Sequence, residues 1–252
     1  MADPRFAEKE VRQALTYGFN RQGFVDTFFD GHAEVSHVPV SQVSWAYTDE
    51  LKEGINKYEY DPEKAKELLD KAGWKEGSDG IREKDGQKLE FVFSTYQDVA
   101  WIDRLIPMLI DDWSKIGVKV EANMQDSNAV SDMVFQQRDF DLYSMCWQLT
   151  VDPDSSSVYH SREIQPGGNN SVSFESEEND KLLDAGVAEF DQEKRKEIYK
   201  DWALLVNEEL PYMYIYMREN WDVHNVRVKN FNTEPFIEPT HPNVVNEMEL
   251  VD

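Results

Sequence analysis

Leu89-Glu90-Phe91-Val92-Phe93-Ser94-Thr95 puts Leu89, Phe91 and Phe93 on one side of the chain and Glu90, Val92 and Ser94 on the other. That is the period-two pattern of a strand. Ile102, Leu105, Ile106, Leu109, Trp113 and Ile116 then recur at helical spacing. Asp98 stands where it would cap this helix, Pro107 is expected to kink it, and Gly117 to end it. Val118, Val120, Ala122 and Met124 alternate with Lys119, Glu121 and Asn123 in a second strand. Residues 127–136 read as a helix with Val130, Met133 and Val134 inward, and 140–147 as a third strand. The order βαβαβ predicts an α/β fold with a parallel sheet and right-handed crossovers. Ligands of open α/β sheets bind beyond the carboxyl ends of the strands. Here those ends are 95–98, 124–127 and 147–154.

On the amino-terminal side, Val11, Ala14, Leu15, Gly18 and Phe19 mark a first helix. Asn20 caps a second one carrying Phe24, Val25 and Phe28, which stops at Gly31. Residues 32–60 show little periodicity and are long for a plain loop, a length that goes with function. Asp61-Pro62-Glu63 opens a helix with a buried stripe of Ala65, Leu68, Leu69 and Ala72, ended by Gly73. Residues 75–86 read as a turn region or small hairpin. On the carboxyl-terminal side, 177–189 form a helix, and Asp191 caps a longer one with Ile198, Tyr199, Trp202, Leu205 and Val206 inward, stopped by Pro211. Residues 212–217 read as a strand. From Glu219 the chain is irregular, with Pro235, Pro239 and Pro242.

The 252 residues include 50 Asp and Glu against 26 Lys and Arg, a formal net charge of -24. Such a surface repels phosphates, which argues against nucleic acid and against an anionic membrane surface as partners. A single cysteine, Cys146, excludes an internal disulfide framework and a multi-cysteine metal site. Lying inside the third predicted strand, it is expected as a small core residue. No run is long enough to cross a membrane. Met1-Ala2-Asp3-Pro4-Arg5 lacks the basic and apolar segments of a signal peptide, so the sequence implies either a cytosolic protein or a piece of a longer chain.

Five histidines, at 32, 37, 160, 224 and 241, show no metal-ligand spacing, and no metal or cofactor is expected. No nucleophile elbow or phosphate-binding loop is present. Acid pairs are too common to single out a catalytic one. Trp147-Gln148-Leu149-Thr150-Val151-Asp152-Pro153-Asp154 is the strand end richest in chemistry. Trp147 reads either as a core residue closing a strand or as a flat wall for a ligand. Asp152 reads either as a partner for a ligand ammonium group or as turn chemistry with Asp154. Asn169-Asn170 reads either as amides presented to a ligand or, the preferred reading, as a supporting turn.

In order and spacing, several landmarks together resemble a known family. They are Val11-Arg12-Gln13-Ala14-Leu15 with Phe19-Asn20-Arg21, Tyr60-Asp61-Pro62-Glu63-Lys64-Ala65, Ala72-Gly73-Trp74, Ile116-Gly117-Val118 and Phe140-Asp141-Leu142 leading to Trp147. Asn169-Asn170, Asp180-Lys181-Leu182-Leu183, Arg195 with Ile198-Tyr199 and Glu209-Leu210-Pro211-Tyr212 complete the set. The chain resembles the C-terminal part of the extracytoplasmic solute-binding proteins of oligopeptide and dipeptide ABC importers. Its oligopeptide members look nearer than the nickel or haem ones.

The resemblance implies a periplasmic-binding-protein-like lobe of type II. Residues 1–218 would form the ligand-binding lobe of a two-lobed receptor, and 219–252 a tail crossing back to the other lobe. It implies capture of an extended oligopeptide without catalysis, delivery to membrane permease subunits, and an extracytoplasmic location, periplasmic or lipid-anchored through a segment outside this sequence. The ligand-binding residues it points to are Trp147, Gln148, Thr150, Asp152 and Trp45. The family places an Asp on the ligand's α-ammonium shortly after the residue matching Trp147. Thr150 stands at that position here, with Asp152 two residues on, so either Asp152 takes over or the ligand is not held by a free N-terminus. An oligosaccharide or other small solute is the alternative ligand, and a carboxylate-dependent hydrolase the alternative class.

Overall fold

The computed structural model describes residues 3–219, 221, 223–231 and 247–251. Met1, Ala2 and the expectations placed on Pro235, Pro239, His241 and Pro242 lie outside the described residues. In chain order the helices are α1 (Lys9–Tyr17), α2 (Arg21–Phe29), α3 (Asp49–Gly54), α4 (Pro62–Lys71), α5 (Ala100–Ser114), α6 (Ser127–Ser131), α7 (Ser156–Tyr159), α8 (Glu177–Ala188) and α9 (Gln192–Glu209). The strands are β1 (Ala33–Glu34), β2 (Lys75–Glu76), β3 (Arg82–Lys84), β4 (Gln87–Lys88), β5 (Glu90–Tyr96), β6 (Lys119–Gln125), β7 (Leu142–Tyr143), β8 (Met217–Arg218), β9 (Val228–Lys229) and β10 (Glu249–Leu250).

The predicted βαβαβ unit is present as a parallel sheet in the order β6-β5-β7. β5 and β6 pair along their whole length, from Glu90 opposite Lys119 to Tyr96 opposite Gln125. The third strand is far shorter than 140–147, pairing only Phe93 with Leu142 and Ser94 with Tyr143. Side chains replace the ladder at both ends. Asp141 Oδ2 accepts the Val92 N–H at 2.8 Å, and the Thr95 and Ser144 hydroxyls bond at 2.6 Å. Beyond Ser144 the chain leaves the sheet, so Cys146 is exposed rather than in the core. β6 is an edge strand whose second half runs past the core: Val118 and Val120 are buried, whereas Ala122 and Met124 are exposed.

Local signals decide most helix starts. The side chains of Asn20, Asp61 and Asp191 accept from the N–H groups of Gly23 (2.8 Å), Lys64 (2.9 Å) and Glu193 (3.0 Å), as caps should. Asp98 does not cap α5. The ladder continues past β5 through Gln97 N–H to Gln125 O at 2.9 Å, Asp98 turns the chain at φ 60°, and the helix starts at Ala100. α5 runs on through Pro107. Pro107 and Asp103 are both exposed, so the carbonyl that lacks its donor lies on the solvent side. The helix predicted over 127–136 is α6 followed by a π-helical turn, Asp132–Gln137. Residues 75–86 belong to the antiparallel meander β2-β3-β4. Of 212–217, only Met217 joins a ladder, β8 against β1.

Two hydrophobic cores result. One holds α1, α2, α4 and α5 against the sheet, around Phe19, Leu69, Phe93, Leu105 and Trp113. The other joins residues 38–58 to α7, α8 and α9, around Leu51, Leu183, Tyr199, Trp202 and Val206. Tyr17 packs against both. At the junction Arg21, only 4% exposed, donates to four carbonyls: Ser36 (3.0 Å), Tyr214 (2.7 Å), Lys57 (2.6 Å) and Tyr58 (3.0 Å).

His37 lies at the same junction, with Nδ1 buried and without a hydrogen-bond partner. Burial, then the charges of Arg21 and Lys57, push its pKa down to about 4. Above pH ~6.5 the ring is neutral in the folded and the unfolded chain. Between 6.5 and 4 the unfolded chain takes up a proton that the folded chain refuses, so this contribution to stability is lost as the pH falls through that window. A loss of roughly 2 kcal/mol is expected, allowing for the partly exposed ring. Urea midpoints measured from pH 7 to pH 4.5 should fall, and His37→Gln should flatten the fall.

Candidate functional site

A groove of about 1800 Å³ opens along β7 and the segment that follows it, with Phe93 of β5 in its lining and no residue of β6. One wall is the segment 144–152, which leaves β7 and does not rejoin a sheet. No backbone N–H or C=O of Met145, Cys146, Trp147, Gln148 or Leu149 is bonded to another described residue. Trp147 is 37% exposed and meets Phe135 edge-on, with ring centroids 6.2 Å apart. Behind it is a recess of about 450 Å³ walled by Tyr96, Trp101 and Phe135. Of its two readings, the structure places Trp147 at the wall and not in a core. Gln148 is exposed on the same segment.

The far end of this segment is fastened down. The Thr150 hydroxyl donates to the Asp152 carbonyl at 2.8 Å, the Ser44 hydroxyl donates to the Val151 carbonyl at 3.1 Å, and Asp152 Oδ1 accepts the Asp154 N–H at 3.0 Å. Asp154 Oδ1 in turn accepts the Ser156 N–H at the start of α7. Arg195 of α9 grips Asp152 with two parallel bonds, Nη1 to Oδ2 at 2.8 Å and Nη2 to Oδ1 at 2.9 Å. Partial burial works against the charged form of Asp152. The bonds from Arg195 and the Asp154 N–H outweigh it and hold the carboxyl below its usual range. The bond to Asp152 likewise raises Arg195. The guanidinium lies 5.3 Å from the ring centres of both Trp45 and Tyr199, and Nε donates to the Gly186 carbonyl at 2.9 Å.

Trp45 is therefore engaged behind the segment. It packs against the second core and is not among the residues lining the groove. Its expected place in the ligand site rests on the family resemblance alone, whereas here its ring packs against Arg195 and Tyr199. Asp152 lines the groove, but its carboxylate is already paired. Asn170 is fully buried. Its amide donates to the carbonyls of Tyr159, His160 and Phe174 and accepts from Phe174 N–H, the supporting role read for it.

Sequence spacing gives no sign of the groove floor, a set of hydroxyls from distant parts of the chain. Tyr143 bonds Ser171 at 2.7 Å and Tyr212 at 3.4 Å, Tyr159 donates to Tyr214 at 3.2 Å, and Tyr216 lies 3.4 Å from Cys146 Sγ. Burial raises Tyr143, Tyr159 and Tyr214, and takes Tyr212 up to about 12, so these phenols keep their protons at neutral pH. Arg138 holds the adjoining loop through the carbonyls of Asn170 (2.8 Å) and Ser171 (3.0 Å). Among the described residues no group of three or more His, Cys, Asp or Glu is placed to hold a metal, and no helix is long and apolar enough to cross a membrane.

Residues 1–169 match the family described as bacterial extracellular solute-binding proteins, family 5 Middle. The oligopeptide-binding protein AppA of Bacillus subtilis (strain 168) is 33% identical over 217 residues, 85% of this chain and 39% of that protein. The structure of AppA from Bacillus subtilis in complex with a nonapeptide superposes with a TM-score of 0.84 at 28% identity, covering 99% of this chain and 49% of that one. An oligopeptide-binding protein from Thermus thermophilus, complexed with a pentapeptide, gives 0.75 at 28% identity over 84% of this chain and 38% of that one. NikZ from Campylobacter jejuni, in complex with Ni(L-His), gives 0.76 at 26% identity over 86% and 43%. The chain spans about two fifths of the length of the curated relatives it matches. The α/β architecture is that of the type II periplasmic binding proteins.

Proposed function

The chain belongs to the bacterial extracellular solute-binding proteins of family 5, and from that premise we propose that it forms the peptide-capturing lobe of an ABC-importer receptor. Residues 1–218 are the lobe, and a second lobe closes over the groove. The receptor works outside the cytoplasm, free in the periplasm or lipid-anchored on the outer face of the cell membrane. It hands its ligand to the membrane permease subunits and catalyses nothing.

The observation that carries this reading is the run of unbonded backbone groups over residues 145–149 along the groove wall. An extended peptide presents complementary N–H and C=O groups, so it is able to pair with such a segment as an added strand. Trp147 supplies a flat contact beside it, and Gln148 and Thr150 add polar groups. Asp152 serves this site by anchoring the segment to Arg195. The peptides bound by AppA and by the Thermus protein support the ligand class. An oligosaccharide would use the aromatic wall equally well but would leave the paired donor and acceptor pattern of the backbone without its match.

Calorimetric titration of the complete receptor with penta- to nonapeptides tests the proposal. Trp147→Ala is expected to lose about 2 kcal/mol, roughly 30-fold in Kd, as for an aromatic residue central to an interface. Unchanged affinity would remove Trp147 from the site. Native mass spectra of freshly purified receptor should show a ladder of peptide masses; hexose spacing would replace the peptide with a sugar.

A further inference from the structure

Among the described residues, most of the carboxylates that line the groove are already engaged, in a protein whose formal net charge is -24. Its lining includes the carboxylates of Asp3, Glu34, Asp141, Asp152 and Glu219. Asp3 and Asp141 share the guanidinium of Arg5, at 2.9 Å and 2.5 Å, and Asp141 also accepts the Val92 N–H. Asp152 is gripped by Arg195 through both oxygens. Glu219 accepts the Trp221 indole N–H at 3.1 Å and lies 3.2 Å from His32 Nδ1. Among the described lining residues, Glu34 alone of the acids has no hydrogen-bond or ion-pair partner, and its side chain is exposed on β1, where solvent and salt screen it. Of the lining cations, Arg12 bonds Glu209 and the carbonyls of Phe6 and Ala7, and Arg138 bonds loop carbonyls. Arg218 is exposed on β8 and would repel an ammonium group rather than attract it. The wall over residues 144–151 contains no charged residue.

Two facts then act together. Asp152 accepts two bonds from a guanidinium and one from a backbone N–H, which occupies three of its roughly four lone-pair sites and neutralises its charge, so a ligand ammonium gains little by approaching it. The uncharged wall nearby offers unbonded backbone donors and acceptors, which recognise the middle of a chain as readily as its end. We infer that this lobe binds the main chain of its ligand without using the ligand's terminal ammonium group. Free and N-acylated peptides are then equivalent ligands, and the register of a bound peptide is not fixed by its first residue. This rests on the peptide-binding reading above.

The test compares, in the complete receptor at pH 7, one hexapeptide of uncharged side chains with its N-acetylated form, by calorimetry at 20 mM and 300 mM salt. Kd values within about threefold of each other, with no dependence of their ratio on salt, are expected. A preference of tenfold or more for the free amine, shrinking as salt is added, would overturn the inference while leaving the receptor a peptide binder. If neither peptide binds at millimolar concentration, the peptide reading itself fails, and the inference with it.

Discussion

Arg21→Met is expected to destabilise the folded chain by about 3–5 kcal/mol, a large part of the stability of an ordinary domain. The methionine keeps most of the buried stem but leaves the carbonyls of Ser36, Tyr214, Lys57 and Tyr58 without the donors that now satisfy them. Each buried carbonyl deprived of its partner costs on the order of 1–3 kcal/mol, partly relieved by its second lone pair or by relaxation. Burial lowers the Arg21 pKa to about 10, so the guanidinium is still charged at neutral pH. Among the described residues its partners are carbonyl dipoles rather than a carboxylate. Arg21→Lys is expected to recover only part of the loss, because a single ammonium cannot reach four carbonyls on three chain segments. Urea unfolding of the three forms checks this, with midpoints in the order Arg21, Lys, Met. Equal midpoints would show that the junction between the two cores is held by packing alone.

How much of this molecule is legible in its sequence follows from the range of each interaction. Apolar spacing over residues 89–113 locates β5 and α5, because the residues that must share a face are neighbours along the chain. The caps at Asn20, Asp61 and Asp191 are legible for the same reason: donor and acceptor are two or three residues apart. Asp98 shows the limit, since a local capping rule loses to a ladder bond between Gln97 and Gln125. The third strand is shorter than its sequence predicts because Asp141 and Ser144 put side chains where the ladder would continue, and alternation along one strand does not record its partner. The exposure of Cys146 follows from that departure.

The candidate site is legible in position and less so in its parts. The rule that ligands bind at the carboxyl ends of parallel strands points to 95–98, 124–127 and 147–154, and of these only the segment from Trp147 lines the groove. The state of Asp152 is not legible. Arg195 lies 43 residues further on and reaches it from another core, and nothing in the spacing of either residue announces the pair. The tyrosine floor is hidden for the same reason, since Tyr143, Tyr159 and the pair Tyr212 and Tyr214 come from three stretches far apart in the chain.

The second large effect is expected at Trp202, which is fully buried between α8 and α9. Trp202→Ala removes an indole from a close-packed core and should cost about 3–5 kcal/mol, from lost transfer energy and the cavity left behind. It also deprives Asn179 Oδ1 of the indole N–H it now accepts at 2.9 Å. Trp202→Phe keeps most of the volume and loses mainly that bond, so about 1–2 kcal/mol is expected. The consequence for the groove is specific. Asn179 donates to the Tyr159 carbonyl at 2.9 Å, the Tyr159 ring meets Trp202 edge-on at 5.3 Å, and the Tyr159 hydroxyl bonds Tyr214 on the groove floor. The alanine form should therefore lose peptide affinity even at temperatures where circular dichroism shows it folded, whereas the phenylalanine form, which keeps a ring against Tyr159, should bind within a few-fold of the parent. If the folded alanine form binds as tightly as the parent, the floor of the groove is positioned by the sheet and its own core, and the helical core contributes stability without shaping the site.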